Sequence, residues 1–284
     1  MLVTIPTEYG NIYSVIDNMN SLNEKKSALI IFCYGLNGER SDRHRISVKL
    51  SREIKSMGVA VFRFDYIGQG ISDGEFYNTT LKSKIRDTIS VMKFVKKMMP
   101  QIEKVIFLGF SDGASVAICS IIEARDILEV NAVLLWSPIV HTDLKHVDEN
   151  NKQIMQARDT KKLPISVNNK KNFMIGTTNI EYNRPTRRGN AVVTPQFGLW
   201  QNVRYNNLDE PKIIDLFCDL NIPTCIVYPE QDYSIIPTAK QLESKLGGNI
   251  TSFKIADADH TFNRSTWINA VFKNSNSWLR RHIL

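Results

Sequence analysis

Short, nearly unbroken apolar runs alternate along the chain with stretches of helical period, and that rhythm predicts layered α/β architecture. Ala28–Cys33, Val59–Phe64, Val105–Leu108, Val130–Trp136 and Thr224–Tyr228 are rich in Val, Ile and Phe and too short for helices. Such runs fit strands covered on both faces, as in a parallel sheet. Between them, apolar residues recur at helical spacing. Ile46, Leu50 and Ile54 share one face, with Ser41 or Asp42 placed to cap it and Gly58 to stop it. Leu81, Ile85, Ile89, Met92 and Val95 line an inward face up to Met98, with Pro100 beyond. Further helices are expected through Ala117–Ile122, Ile213–Leu220 and Thr238–Leu246, the last ending at Gly247-Gly248, and a closing helix carries Trp267, Val271, Trp278 and Leu279. Residues 1–5 and 11–16 alternate instead and predict a hairpin around Gly10, while Thr251–Ala256 gives the final strand. Strand, helix, strand, helix with continuous apolar strands means a mostly parallel, doubly wound sheet.

The rhythm breaks at residues 141–210. This stretch is polar, with scattered anchors at Phe173, Met174, Phe197 and Trp200 that are costly to leave in water. It reads as a cap or lid inserted into a core formed by residues 1–140 and 211–284.

Candidate chemistry concentrates where the strand Lys104–Leu108 runs into Gly109-Phe110-Ser111-Asp112-Gly113 and then into a helical pattern. A Ser oxygen stands clear of its own backbone only if the chain turns sharply from strand to helix with the Ser at a strained apex. Residues two before and two after then crowd each other, and only Gly-like side chains fit. This is the G-x-S-x-G nucleophile elbow. The helix start behind Ser111 also leaves backbone N–H groups free to face whatever the Ser attacks. Asp112 reads best as a helix-start carboxylate favoured by the dipole.

A Ser nucleophile needs an imidazole to take its proton and a carboxylate to orient that imidazole. Of the five histidines, His44 and His282 lie in charged surface stretches, and His141 and His146 fall at the mouth of the insertion with no metal-ligand spacing. His260 follows the last strand at the carboxyl end of the sheet, where open α/β sheets place ligands. Asp232 follows the preceding strand at the same end. Glu230 is its nearest rival, with Asp257 and Asp259 in the loop of His260 itself. The order Ser111, Asp232, His260 suits this architecture.

Four stretches together carry a resemblance: the elbow 109–113, the loop Phe64-Asp65-Tyr66-Ile67-Gly68-Gln69-Gly70-Ile71-Ser72, the turn 230–237, and Asp259-His260-Thr261-Phe262. With these the chain resembles an α/β-hydrolase-fold serine hydrolase, similar to bacterial esterases, lipase-like hydrolases and feruloyl-type esterases, over nearly everything except 141–210. The resemblance implies Ser111 as nucleophile, His260 as general base then acid, and Asp232 as orienting carboxylate. It implies an oxyanion hole from the backbone N–H groups of Asp112 and Leu36. Where many relatives have His-Gly before the second donor, this chain has Tyr34-Gly35, so the loop must be held by different hydrogen bonds.

The resemblance leaves three functions to weigh. The first is hydrolysis of a carboxylic ester through an acyl-enzyme. The second is thioesterase or acyltransferase action on an acyl group bound to coenzyme A or an acidic acyl carrier protein. It is motivated by Lys161, Lys162, Lys170, Lys171, Arg184, Arg187 and Arg188 in the expected cap. The third is a non-catalytic binding protein on a hydrolase scaffold, against which the intact Ser, His and Asp set argues.

Composition adds limits. The 284 residues are 43% hydrophobic and 23% charged, ordinary for a globular protein, and no apolar run approaches a bilayer span. A net charge of +7 with a pI near 9.1 suits a well-solvated basic surface, and no nucleic-acid reading motif accompanies it. Four cysteines without C-x-x-C spacing read as reduced thiols. With no signal peptide in the opening residues, a cytoplasmic location is expected. No metal or organic cofactor is implied.

Overall fold

The computed structural model describes residues 1–20, 27–35, 38–76, 79–140, 173–175, 178–180, 210–230, 232 and 235–282. Ten strands and six α-helices are assigned among them. The strands are β1 (Leu2–Thr7), β2 (Gly10–Asp17), β3 (Ala28–Cys33), β4 (Val59–Phe64), β5 (Lys104–Phe110), β6 (Ala132–Trp136), β7 (Phe173–Ile175), β8 (Thr178–Ile180), β9 (Thr224–Pro229) and β10 (Ile250–Ile255). The helices are α1 (Ile46–Glu53), α2 (Leu81–Met98), α3 (Gly113–Glu123), α4 (Glu210–Asp219), α5 (Ile236–Leu246) and α6 (Ser265–His282).

Eight strands form one sheet in the order β1-β2-β4-β3-β5-β6-β9-β10. From β4 to β10 every neighbouring pair is parallel, while β1 and β2 form the antiparallel margin. The two kinds of strand differ as their surroundings require. Every residue of β3, β4, β6 and β9 is buried. In β2 the burial alternates through Ile12, Ser14 and Ile16, as expected of a strand with one wetter face. Around β3 the chain order reverses: β4 lies on one side and β5 on the other. The crevice at their carboxyl ends is the switch point where α/β sheets hold ligands.

Helix α2 starts with a reciprocal capping box between Thr80 and Ser83. Its inward face differs from the apolar stripe expected. Leu81, Ile85, Met92 and Val95 are buried, but so are Lys84, Asp87 and Thr88, and Ile89 is only half-buried. Helix α3 is buried at every position from Gly113 to Ile121, the mark of a helix enclosed on all sides. Helix α6 buries Ile268, Val271, Phe272, Ser275, Trp278 and Leu279, and Trp136 Nε1 donates to Ser275 Oγ at 3.0 Å. Trp267, expected among the inward residues, is half-buried under the Arg264 guanidinium, 4.6 Å from its ring.

The start of α1 departs from expectation. Neither Ser41 nor Asp42 caps it; Arg45 stands at the N-cap in a left-handed conformation without a capping bond. Asp42 instead accepts from Arg43 N, in a 3-10 turn over Arg43–Arg45. Its Oδ2 is buried without a hydrogen-bond partner among the described residues. Burial raises this carboxyl from 3.8 to about 6. A carboxyl raised on folding binds its proton more tightly in the native state, so its contribution is favourable at low pH and is lost as pH climbs from 3.8 through about 6. Relative to Asp42→Asn, wild type should lose on the order of 2–3 kcal/mol across that interval in urea titrations. Parallel pH curves for the two proteins would refute this.

The expected cap, residues 141–210, lies outside the described residues except for the paired strands β7 and β8 and the first residue of α4.

Candidate active site

Ser111 sits at the carboxyl end of β5 with φ 55°, on the turn into α3. Left-handed backbone is unfavourable for a residue with a Cβ, and it is held here by three main-chain bonds. Ser111 N donates to Trp136 O at 2.9 Å, and Ser111 O accepts from Ala114 N at 3.0 Å and Ile139 N at 3.1 Å. The two elbow glycines are required by space. A Cβ on Gly113 would lie 2.1 Å from Cys33 O, and one on Gly109 would lie 2.6 Å from Ala114 Cα. A Cβ on Gly35 would sit 3.2 Å from Ser111 Cβ, so the β3 loop passes directly over the candidate nucleophile.

Three loops at the same end of the sheet bring the candidate groups together. Ser111 Oγ is 2.8 Å from His260 Nε2, and His260 Nδ1 is 2.7 Å from Asp232 Oδ2. A carboxylate can only accept, so Nδ1 carries the proton toward Asp232 and Nε2 is left to accept the Ser111 hydroxyl. Both side chains are mostly buried, His260 18% and Asp232 15% exposed, which strengthens the pairing relative to water while leaving an approach from solvent. Ser137 Oγ donates to His260 O at 2.8 Å, and the Phe110 ring stacks toward the imidazole with centroids 6.4 Å apart. Neither contact was legible in the sequence.

The rival residues have other occupations. Asp259 accepts from Thr261 N and Asn263 N and from Asn263 Nδ2, closing its own loop. Glu230 is exposed. His44 meets Asn263 Oδ1 on the surface, and His282 lies against Trp278. His141 and His146 lie outside the described residues, as does Leu36, the expected second oxyanion donor.

Tyr34 is fully buried. Its hydroxyl accepts the backbone N–H of Tyr66 at 2.9 Å, and the two rings lie 4.5 Å apart. Burial pushes both phenols well above their ordinary value, so they act here as neutral groups. Asp65 is the second tie between these loops. It is fully buried, accepts Arg40 N at 2.7 Å and Ile71 N at 3.0 Å, and pairs with the Arg40 guanidinium. Gly70, at φ 54°, is needed because any Cβ would strike the Asp65 carboxylate. Ser72 Oγ closes the loop by donating to Asp65 O at 2.7 Å. Residues 64–72 therefore brace the Gly35 loop from below.

Asp112 stands at the N-cap of α3, the helix start expected of it, and also has a partner that the sequence did not suggest. It makes no side-chain capping bond, and its carboxylate pairs with Lys84 Nζ at 3.2 Å. Lys84 is fully buried, and its ammonium also lies 5.3 Å from the Tyr66 ring centroid. No set of three or more His, Cys, Asp or Glu side chains suited to a metal occurs among the described residues. No helix among them is long and apolar enough to cross a membrane.

The family model described as serine aminopeptidase, S33, matches residues 24–197. A monoglyceride lipase homolog of Monkeypox virus is 32% identical over 117 residues, a match covering 41% of this chain and 40% of that protein. Est1E from Butyrivibrio proteoclasticus, solved with ferulic acid bound, superposes with a TM-score of 0.66 at 19% identity over 99% of both chains. An esterase from Pyrococcus furiosus gives 0.66 at 18% identity, covering 100% of this chain and 91% of its own. Mouse alpha/beta hydrolase domain-containing protein 10 gives 0.65 at 18% identity over 99% of both. These structural likenesses establish the α/β-hydrolase fold.

Proposed function

The chain belongs to the serine aminopeptidase S33 family of α/β hydrolases, and from that premise we propose that it cleaves a carboxylic ester through an acyl-enzyme. The observation that carries this reading is the unbroken hydrogen-bonded line from Ser111 Oγ through the His260 ring to Asp232 Oδ2, at 2.8 and 2.7 Å. In the first half-reaction Ser111 Oγ attacks the carbonyl carbon as its proton passes to His260 Nε2. Asp232 holds the resulting imidazolium in place. The tetrahedral oxyanion is received by the backbone N–H of Asp112 and, by family resemblance, that of Leu36; each such donor is typically worth about 10²–10³ in rate. Collapse expels the alkoxide, which takes the proton from Nε2. Water then gives a proton to Nε2, attacks the acyl-enzyme and restores the Ser111 hydroxyl.

An ester is favoured over a peptide by the esterases and the lipase homolog among the similar proteins. An aminopeptidase needs an acidic group near the scissile bond to hold the substrate ammonium, and the acid nearest Ser111 in sequence, Asp112, is already engaged by Lys84. A panel of aryl acyl esters of rising chain length, acyl thioesters and aminoacyl arylamides tests the reading. The esters should turn over fastest, with a burst of one acyl group per chain on Ser111. Faster cleavage of the aminoacyl amides or of the thioesters would displace it.

A further inference from the structure

We infer that the cavity between β2, β4 and α1 is a binding site for a compact anion of two or more negative charges, a phosphate or pyrophosphate group. Its volume is about 520 Å³, and its wall carries Arg40, Arg45, Arg52, Lys55 and Arg63 against the lone carboxylate of Asp17. Arg63 is taken up by Asp17, Nε to Oδ2 at 2.6 Å, and Arg40 by Asp65. Arg45, Arg52 and Lys55 are exposed and have no ion-pair partner among the described residues. They stand at the N-cap of α1, in its last turn and in the 3-10 turn Ile54–Met57 that follows, so three uncompensated cations line a cavity already rimmed by two guanidinium groups. Guanidinium forks match phosphate oxygens in pairs. Convergence on a cavity, rather than a stripe along the surface, selects a compact anion over a nucleic-acid strand.

The backbone points the same way independently. Asp42, His44 and Arg45 have φ of 53°, 55° and 56°, three left-handed non-glycine residues in one turn. Arg45 is the N-cap of α1, where Ser, Thr, Asp or Asn is favoured, and it makes no capping bond. A cation there also opposes the helix dipole. An anion held by Arg45 would offset the two unfavourable choices at that residue. Strain of this kind collects at functional positions. The site does not depend on the proposed hydrolysis, because its occupancy is read without any ester substrate.

The test is calorimetric titration of the full chain with sodium pyrophosphate and with inorganic phosphate at low ionic strength. Wild type is compared with Arg45→Asn, Arg52→Gln and, as a charge control on α2, Lys93→Gln. Saturable binding at one site per chain is expected, weakened about tenfold or more by each arginine substitution and unchanged in Lys93→Gln. Asn tolerates left-handed backbone and caps helices, so anion-free Arg45→Asn should melt higher than wild type while losing its stabilisation by pyrophosphate. Absence of saturable binding up to about 10 mM would overturn the inference. So would equal weakening in Lys93→Gln, which would trace the effect to net charge.

Discussion

Replacing Ser111 with Ala should reduce kcat for ester hydrolysis by about 10⁴–10⁶, leaving only what the oxyanion donors and binding supply. His260→Ala should fall as far. The double variant should be no worse than either single one, because the groups act as a unit. Asp232→Asn should lose about 10³–10⁴, since an amide can donate to Nδ1 and would then favour the wrong tautomer of the ring. Fluorophosphonate labelling of wild type and its absence in Ser111→Ala gives a readout that does not require the natural substrate. Stability separates this chemistry from folding. At φ 55°, Ser111 is unfavourable for any residue with a Cβ. Ser111→Gly should therefore be inactive yet more stable by roughly 0.5–1 kcal/mol, whereas Ser111→Ala should unfold much as wild type does. Retention of ester turnover within tenfold of wild type in Ser111→Ala would remove the proposed mechanism.

The second large effect is expected at the ion pair behind the elbow. Lys84 is wholly buried and its nearest counter-charge is Asp112, 3.2 Å away. Lys84→Met leaves a carboxylate uncompensated in a place where water cannot solvate it, a change that typically costs about 3–5 kcal/mol. Removing both charges, as Lys84→Met with Asp112→Leu, should recover most of that loss, because a packed apolar pair avoids the desolvation that the ion pair suffers. Urea midpoints for the two single variants and the double variant form the cycle. If the double variant lost as much as the two single variants together, the pair would not be coupled. The functional consequence follows from position: Asp112 supplies the N–H next to the nucleophile, so Lys84→Met should also lower kcat in whatever fraction remains folded.

How much of this was legible in the sequence depends on what each residue answers to. The strands β3, β4, β6 and β9 were readable because burial on both faces leaves an unbroken apolar run. The elbow was readable because Gly109 and Gly113 answer to contact distances set by the turn itself. The meeting of Ser111, His260 and Asp232 was expected from their shared end of the sheet, and the distances place them there. Lys84 was not readable, since periodicity assigns a lysine to the surface, and its partner lies in another element. The turn at Asp42 misled for a similar reason: a capping residue type was present, but the left-handed backbone through Arg45 moved the helix start past it. Residues 141–210 fall almost wholly outside the described residues.

The placement of the four thiols bears on how this protein meets electrophiles. Cys33, Cys119 and Cys225 are buried, and burial lifts the first two to about 12, helped at Cys119 by the carboxylates of Glu123 and Asp112, and the third further still. Thiolate is the reactive form, so the folded chain offers alkylating agents and oxidants little except the half-covered Cys218. Slow modification of the other three then acts as a clock for opening of the central layer, with β3, α3 and β9 each carrying its own reporter.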